Sequence, residues 1–171
     1  VFGAVGTAGQ RCTSLGNLIL HKDIYDEFME KFMAKVRTTR IGDSLKHEDV
    51  LYGSMLSEKY AVDFLKGIEM VEGDGAKKIW GEGRITTGNI PENFQGSPEG
   101  GVFMWPHVYV DVTEDMTCFH EEVFGPAVTV VAVEVDALPI VVRPLQDLDP
   151  GVDRHAVALE EDLHALDRPV E

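Results

Sequence analysis

The chain has 171 residues, 44% hydrophobic and 26% charged, with a formal net charge of −15. That length suffices for one domain with a real core or for a piece of a larger one, and the composition excludes wholesale disorder. The negative balance argues against nucleic acid or an anionic membrane surface as partner, and no apolar run approaches the length that spans a bilayer. The chain opens on Val1-Phe2-Gly3-Ala4 without an initiating methionine or a secretory pattern, so a fragment is expected. Two cysteines, Cys12 and Cys118, supply neither a disulfide framework nor a paired metal spacing. A reduced, cytoplasmic setting is the simpler expectation.

The first informative stretch is Gly6-Thr7-Ala8-Gly9-Gln10-Arg11-Cys12-Thr13. Small neighbours leave a cysteine sulfur approachable and free backbone N–H groups to polarise a carbonyl, so Cys12 is a candidate nucleophile. A buried packing thiol is the competing reading for any lone cysteine. The apolar run Leu15–His21 predicts a buried strand. Asp23 then reads as a helix N-cap, followed by apolar Ile24, Phe28, Phe32 and Val36 at four-residue spacing, with Tyr25 and Met29 widening the stripe. Ile41-Gly42-Asp43 turns the chain, and residues 43–56 read as a loop anchored by Val50–Gly53. Ser57 is placed to cap a second helix whose apolar face is Ala61, Phe64, Leu65, Ile68 and Val71, ended by Gly73 and Gly75.

Lys77–Gly81 predicts a short strand, and the glycine- and proline-rich residues 81–101 a surface excursion. Residues 101–112 are β-prone, with Pro106 marking an edge or a strand entry. Ala127–Val133 is β-branched throughout its middle and predicts a central strand buried on both faces. Strands alternating with helices favour an α/β layer architecture. Beyond residue 134 the composition changes abruptly. Residues 135–171 contain no Lys, Ser, Thr, Asn or aromatic residue, and nine acidic residues stand against three basic ones. Val152, Ala156, Leu159, Leu163 and Leu166 form a short helical seam, so this acidic tail is expected to be a surface helix or disordered, and an out-of-frame continuation would explain its make-up.

Some 110 residues after Cys12 stands Glu121-Glu122-Val123-Phe124-Gly125-Pro126. The pair of motifs resembles the aldehyde dehydrogenase superfamily, whose members carry G-Q-x-C at the nucleophile and E-E-x-F-G-P downstream. The stretches between also look like that family: Ile24–Phe28, Ile41–Asp43, Tyr52-Gly53 and Gly100–Phe103, so the likeness covers residues 3 to about 134. Val50–Gly53 has a local likeness to the semialdehyde-oxidising antiquitin branch.

The resemblance implies a partial aldehyde dehydrogenase catalytic domain, an α/β fold with a Rossmann-like open sheet and flanking helices. It implies Cys12 as nucleophile, its N–H as half of an oxyanion hole, Glu122 on the nicotinamide-side ribose and Phe124 beside the nicotinamide, with Gln10 and Arg11 shaping the loop. The implied cofactor is NAD or NADP, the partner a small aldehyde, and the full-length enzyme a homo-oligomer. The family's dinucleotide domain, upstream asparagine and upstream glutamate have no counterpart here, so the chain by itself is expected to be inactive. A cysteine acyltransferase or hydrolase pairing Cys12 with a histidine is the rival enzyme class. A non-catalytic segment acting only through association is the third reading. The histidines have no metal spacing, since His120-Glu121-Glu122 lacks the second histidine of a helical zinc site. Cys118 is expected to be a buried structural thiol.

Overall fold

Val128 to Val131 are all β-branched, which suits a strand enclosed on both faces, and they become the middle of the sheet. The computed structural model describes residues 1–134; the tail expectations for 135–171 lie outside the described residues. In chain order the elements are α1 (Phe2–Val5), a left-handed turn (Gly6–Gly9), β1 (Asn17–His21), α2 (Lys22–Thr38) and β2 (Ile41–Gly42). They continue with α3 (Glu58–Gly73), β3 (Lys77–Trp80), β4 (Phe94–Gln95), β5 (His107–Val110), α4 (Thr117–His120) and β6 (Ala127–Val133). Among the described residues these form a four-stranded sheet in the order β1-β6-β5-β3 and a small ladder of β2 with β4.

β6 runs parallel to both its neighbours, with Asn17 opposite Thr129 on one side and Val108 opposite Val128 on the other. β3 is antiparallel to β5, with an irregularity between Lys78 and Trp80. The parallel pair β5–β6 needs a crossover, and the connection through α4 supplies it. Pro106 stands immediately before β5, an entry position where its missing N–H costs no ladder bond. None of the described helices is long and apolar enough to cross a membrane.

α3 buries the face its periodicity predicts, with Ala61, Phe64, Ile68 and Val71 enclosed and Leu65 partly so. Ser57 occupies its N-cap without a side-chain bond, and Gly75 takes the left-handed conformation (φ +96°) just past its end.

α2 departs from expectation in two ways. The N-cap is His21, whose ring nitrogen accepts from the Asp23 N–H, and Asp23 falls inside the first turn, where its carboxylate still faces the positive end of the dipole. The buried stripe is Met29, Phe32, Met33 and Val36, while Ile24 and Phe28 remain exposed. Full burial along this stripe is confined to its later residues, while in the first two turns Tyr25 is partly buried against the core.

The excursion at 81–101 is not all surface. Ile85 and Phe94 are buried, Phe94 meets Phe103 edge-to-face at 5.1 Å, and β4 bonds to β2. Isolated apolar residues in a glycine-rich stretch carry no periodicity, so sequence could not mark them as anchors.

Candidate active site

Two loops define the site, and topology brings them together. The cysteine loop leads into β1 and the Glu121–Pro126 loop leads into β6. β1 and β6 are adjacent and parallel, so both loops lie at the same, amino-terminal edge of the sheet. Ligands of open α/β sheets usually sit outside the carboxyl ends of the strands. Here the two motifs stand at the opposite end.

The cysteine loop is held in a costly conformation. Thr7, Ala8 and Gly9 are consecutive left-handed residues, with φ of 55°, 54° and 62°. For a residue with a Cβ that region costs roughly 1 kcal/mol or more, so neighbours must enforce it. Gly9 shows how. A Cβ there would lie 1.9 Å from the Gly125 carbonyl oxygen, so the two motifs pack backbone against backbone and only glycine fits. Gln10 accepts a hydrogen bond from the Leu56 N–H at 3.1 Å, and the Arg11 guanidinium lies 4.8 Å over the Phe2 ring. Both side chains are thereby spent on shaping the loop.

Cys12 lies at the exposed corner of the turn Arg11–Ser14, closed by a 2.9 Å bond from the Ser14 N–H to the Arg11 carbonyl. The next amide, Leu15, donates to the Gly3 carbonyl at 2.8 Å and ties the turn back to α1. Among the described residues the Cys12 N–H has no hydrogen-bond acceptor, so it is free to donate to an oxygen developing negative charge beside the sulfur.

The second loop is braced from three sides. The Pro126 carbonyl accepts from His107 N–H at 2.8 Å, Val123 packs on α3 at Gly67, and a Cβ on Gly125 would fall 2.1 Å from the Phe64 ring. Glu122 is exposed and Phe124 half-buried. A cleft of about 310 Å³ runs between the loops, walled by Gly9, Ser14–Asn17 and residues 118–123 with Gly125. Glu122 faces this cleft; Cys12 and Phe124 are not among its walls. The structure therefore joins the two motifs through their glycines, gives the carboxylate a cleft, and leaves the sulfur at the surface.

The remaining titratable groups nearby are structural. Cys118 is buried and unpaired, and burial, reinforced by Asp74, pushes its thiol up to about 11. Asp74 accepts from the Cys118 N–H at 2.7 Å, and that bond holds its carboxyl below the usual range. His107 is fully buried between the Trp105 carbonyl (2.9 Å from Nδ1) and the Gly83 N–H (3.0 Å from Nε2). One acceptor and one donor suit the neutral ring with its proton on Nδ1, and burial lowers its pKa to about 4. His120 bonds to the Glu114 carbonyl and His21 to the Asp23 N–H. Among the described residues no histidine is hydrogen-bonded to Cys12, so the cysteine–histidine pair of the rival reading is not assembled.

Sequence reasoning set Phe64 on the buried face of α3 without its partner Gly125, and it missed the contacts of Asp74 with Cys118 and of Asn17 with Phe119. Motif logic ranks residues by chemistry, and these three act through contacts between distant segments. The glycines at 9 and 125 were the available signal, since glycine in two separate motifs is what a close backbone approach requires.

Most of the chain is similar to known proteins of one family. The family model described as aldehyde dehydrogenase family matches residues 1–140. An alpha-ketoglutarate semialdehyde dehydrogenase of Haloferax volcanii is 35% identical over 131 residues, covering 77% of this chain and 25% of the relative. A 2,5-dioxopentanoate dehydrogenase of Saccharolobus solfataricus is 34% identical over 151 residues, covering 88% of this chain and 28% of the relative. The crystal structure of an NAD-dependent aldehyde dehydrogenase from Sinorhizobium meliloti superposes with a TM-score of 0.66 at 28% identity, over 78% of this chain and 24% of that one. The chain thus spans about a quarter of the length of the curated relatives it matches.

Proposed function

This chain belongs to the aldehyde dehydrogenase family, and we propose that it carries the nucleophile half of a site that oxidises an aldehyde to the carboxylic acid with NAD or NADP. The observation that carries this reading is the packing of Gly9 against Gly125, which sets the cysteine loop and the Glu121–Pro126 loop side by side.

In this reading the Cys12 thiolate attacks the aldehyde carbon, and the carbonyl oxygen becomes an oxyanion that the free Cys12 N–H receives. An ordinary thiol, with a pKa of about 8.5, is only a few per cent ionised at neutral pH, so a base from elsewhere in the enzyme is expected to assist. A bound dinucleotide would supply the hydride acceptor, which no side chain can be; loss of the hydride would leave a thioester on Cys12, and water would cleave its C–S bond to give the carboxylic acid and restore the thiol. Glu122 suits the ribose hydroxyls, because an ionised carboxylate accepts two hydrogen bonds without reorganising. Half-buried Phe124 suits an aromatic ring. The cleft's 310 Å³ is at the low end of ligand pockets, roughly 300–1,000 Å³, so it fits one end of a dinucleotide and not the whole. The semialdehyde-acting relatives support a small oxo-acid semialdehyde as the substrate class.

Aldehyde-dependent reduction of NAD or NADP by the protein carrying this segment tests the reading. Activity should disappear in Cys12→Ala, and an acyl adduct on Cys12 should be trapped only when aldehyde and dinucleotide are both present. Turnover that survives Cys12→Ala overturns it. Acylation by an activated ester with no aldehyde oxidation would move the chain to the acyltransferase or hydrolase class.

A further inference from the structure

The cleft has one wall from the cysteine strand and one from α4, and a single side chain ties them. Asn17, the first residue of β1, donates from Nδ2 to the Phe119 carbonyl at 2.9 Å, and its Oδ1 accepts from the Thr129 hydroxyl. The amide orientation follows from the partners, since a carbonyl can only accept and the hydroxyl is left to donate. Gly16 and Thr129 already close the ladder between β1 and β6 through a 2.9 Å backbone bond. The Asn17 side chain is therefore free to reach across to a different element.

That element cannot place itself. α4 is four residues long, far short of what holds a helix together alone, so its position comes from its anchors. Asp74 holds its N-terminal side at the Cys118 N–H, and Asn17 holds the Phe119 carbonyl near its end. Glu121 follows α4 directly, with its N–H on the Thr117 carbonyl at 2.9 Å, and Glu122 comes next.

We infer that Asn17 is a positioning residue, which fixes the placement of Glu122 relative to the cysteine loop by clamping the Phe119 carbonyl to the strand that follows Cys12. Asn17 touches neither reacting atom and acts through α4. The inference rests on the proposed role of Glu122 but is measured without it.

Amide hydrogen exchange on the full 171-residue chain tests it, comparing Asn17→Ala and Asn17→Asp with the parent. Asn17→Asp keeps the acceptor for Thr129 and loses only the donor to Phe119. Both variants should speed exchange at Phe119 and Glu121 by about tenfold, the net worth of one lost hydrogen bond. Val108–Val110 and Val128–Val131 should stay at parental rates. Unchanged exchange at Phe119 and Glu121, or an equal rise throughout β5 and β6, overturns the inference. In the protein that oxidises aldehyde, both variants should raise the dinucleotide KM severalfold with kcat changed less. A parental KM beside faster local exchange overturns the positioning role. Faster exchange in a protein with no Cys12-dependent oxidation removes the functional reading and leaves the clamp standing.

Discussion

α2 and α3 carry apolar stripes of the same period, yet they end in different surroundings. α3 buries Phe64 to 1% exposure, against Gly125 and edge-to-face with His107 at 5.4 Å. α2 leaves Phe28 at 38% and Ile24 at 53% exposure, while the later turns of the same stripe are buried. Periodicity says which face of a helix is apolar. What covers that face is decided by the elements it meets, and α3 meets the loop that carries Glu122.

Truncation should separate the two helices most sharply. Phe64→Ala removes a fully enclosed ring and should cost about 3–5 kcal/mol in urea denaturation. The same change should loosen the Gly125 carbonyl against Gly9, read as faster exchange of the Ala127 amide, which bonds to that carbonyl. A cost below about 1 kcal/mol would mean that the α3 interface is not the core of this fold.

Acid should come next. An unfolded imidazole binds a proton below about 6.5, whereas buried His107 does so only near 4. Between those values the unfolded chain holds more protons, so the stability tied to this ring is complete above pH 6.5 and falls away as the pH drops toward 4. The loss by pH 4 should approach about 3 kcal/mol. An imidazole titration by NMR checks it directly: a midpoint near 6.5 for His107 would remove this contribution.

The smallest effect is expected on the α2 side. Phe28→Ala should change stability by less than about 1 kcal/mol, because the ring gains only partial cover from its 6.1 Å stack on Phe32. A loss matching that of Phe64→Ala would erase the contrast between the helices.

Much of the fold is legible in the sequence. The strands at 17–21, 77–80 and 127–133 and both long helices follow from runs and periods that lie within a few residues of each other, but among the described residues β1 lies at the edge of the sheet and buries only Leu20, whereas its apolar run predicts a buried strand. The N-cap of α2 lies two residues before Asp23, because the His21 ring nitrogen accepts from the Asp23 N–H, a role that the usual capping preferences do not assign to histidine. Ile85 and Phe94 were hidden in a glycine-rich stretch, where nothing periodic announces burial.

The residues themselves determined the family, through two motifs in order, and pointed to Cys12, Glu122 and Phe124. The tertiary structure decided the rest. The strand order β1-β6 sets the two motifs at one end of the sheet, and Gly9 meets Gly125 there. The same order brings Asn17 within reach of Phe119. Local spacing encodes helices and strands because their bonds join near neighbours, whereas contacts across more than a hundred residues exist only once the strands have chosen their partners.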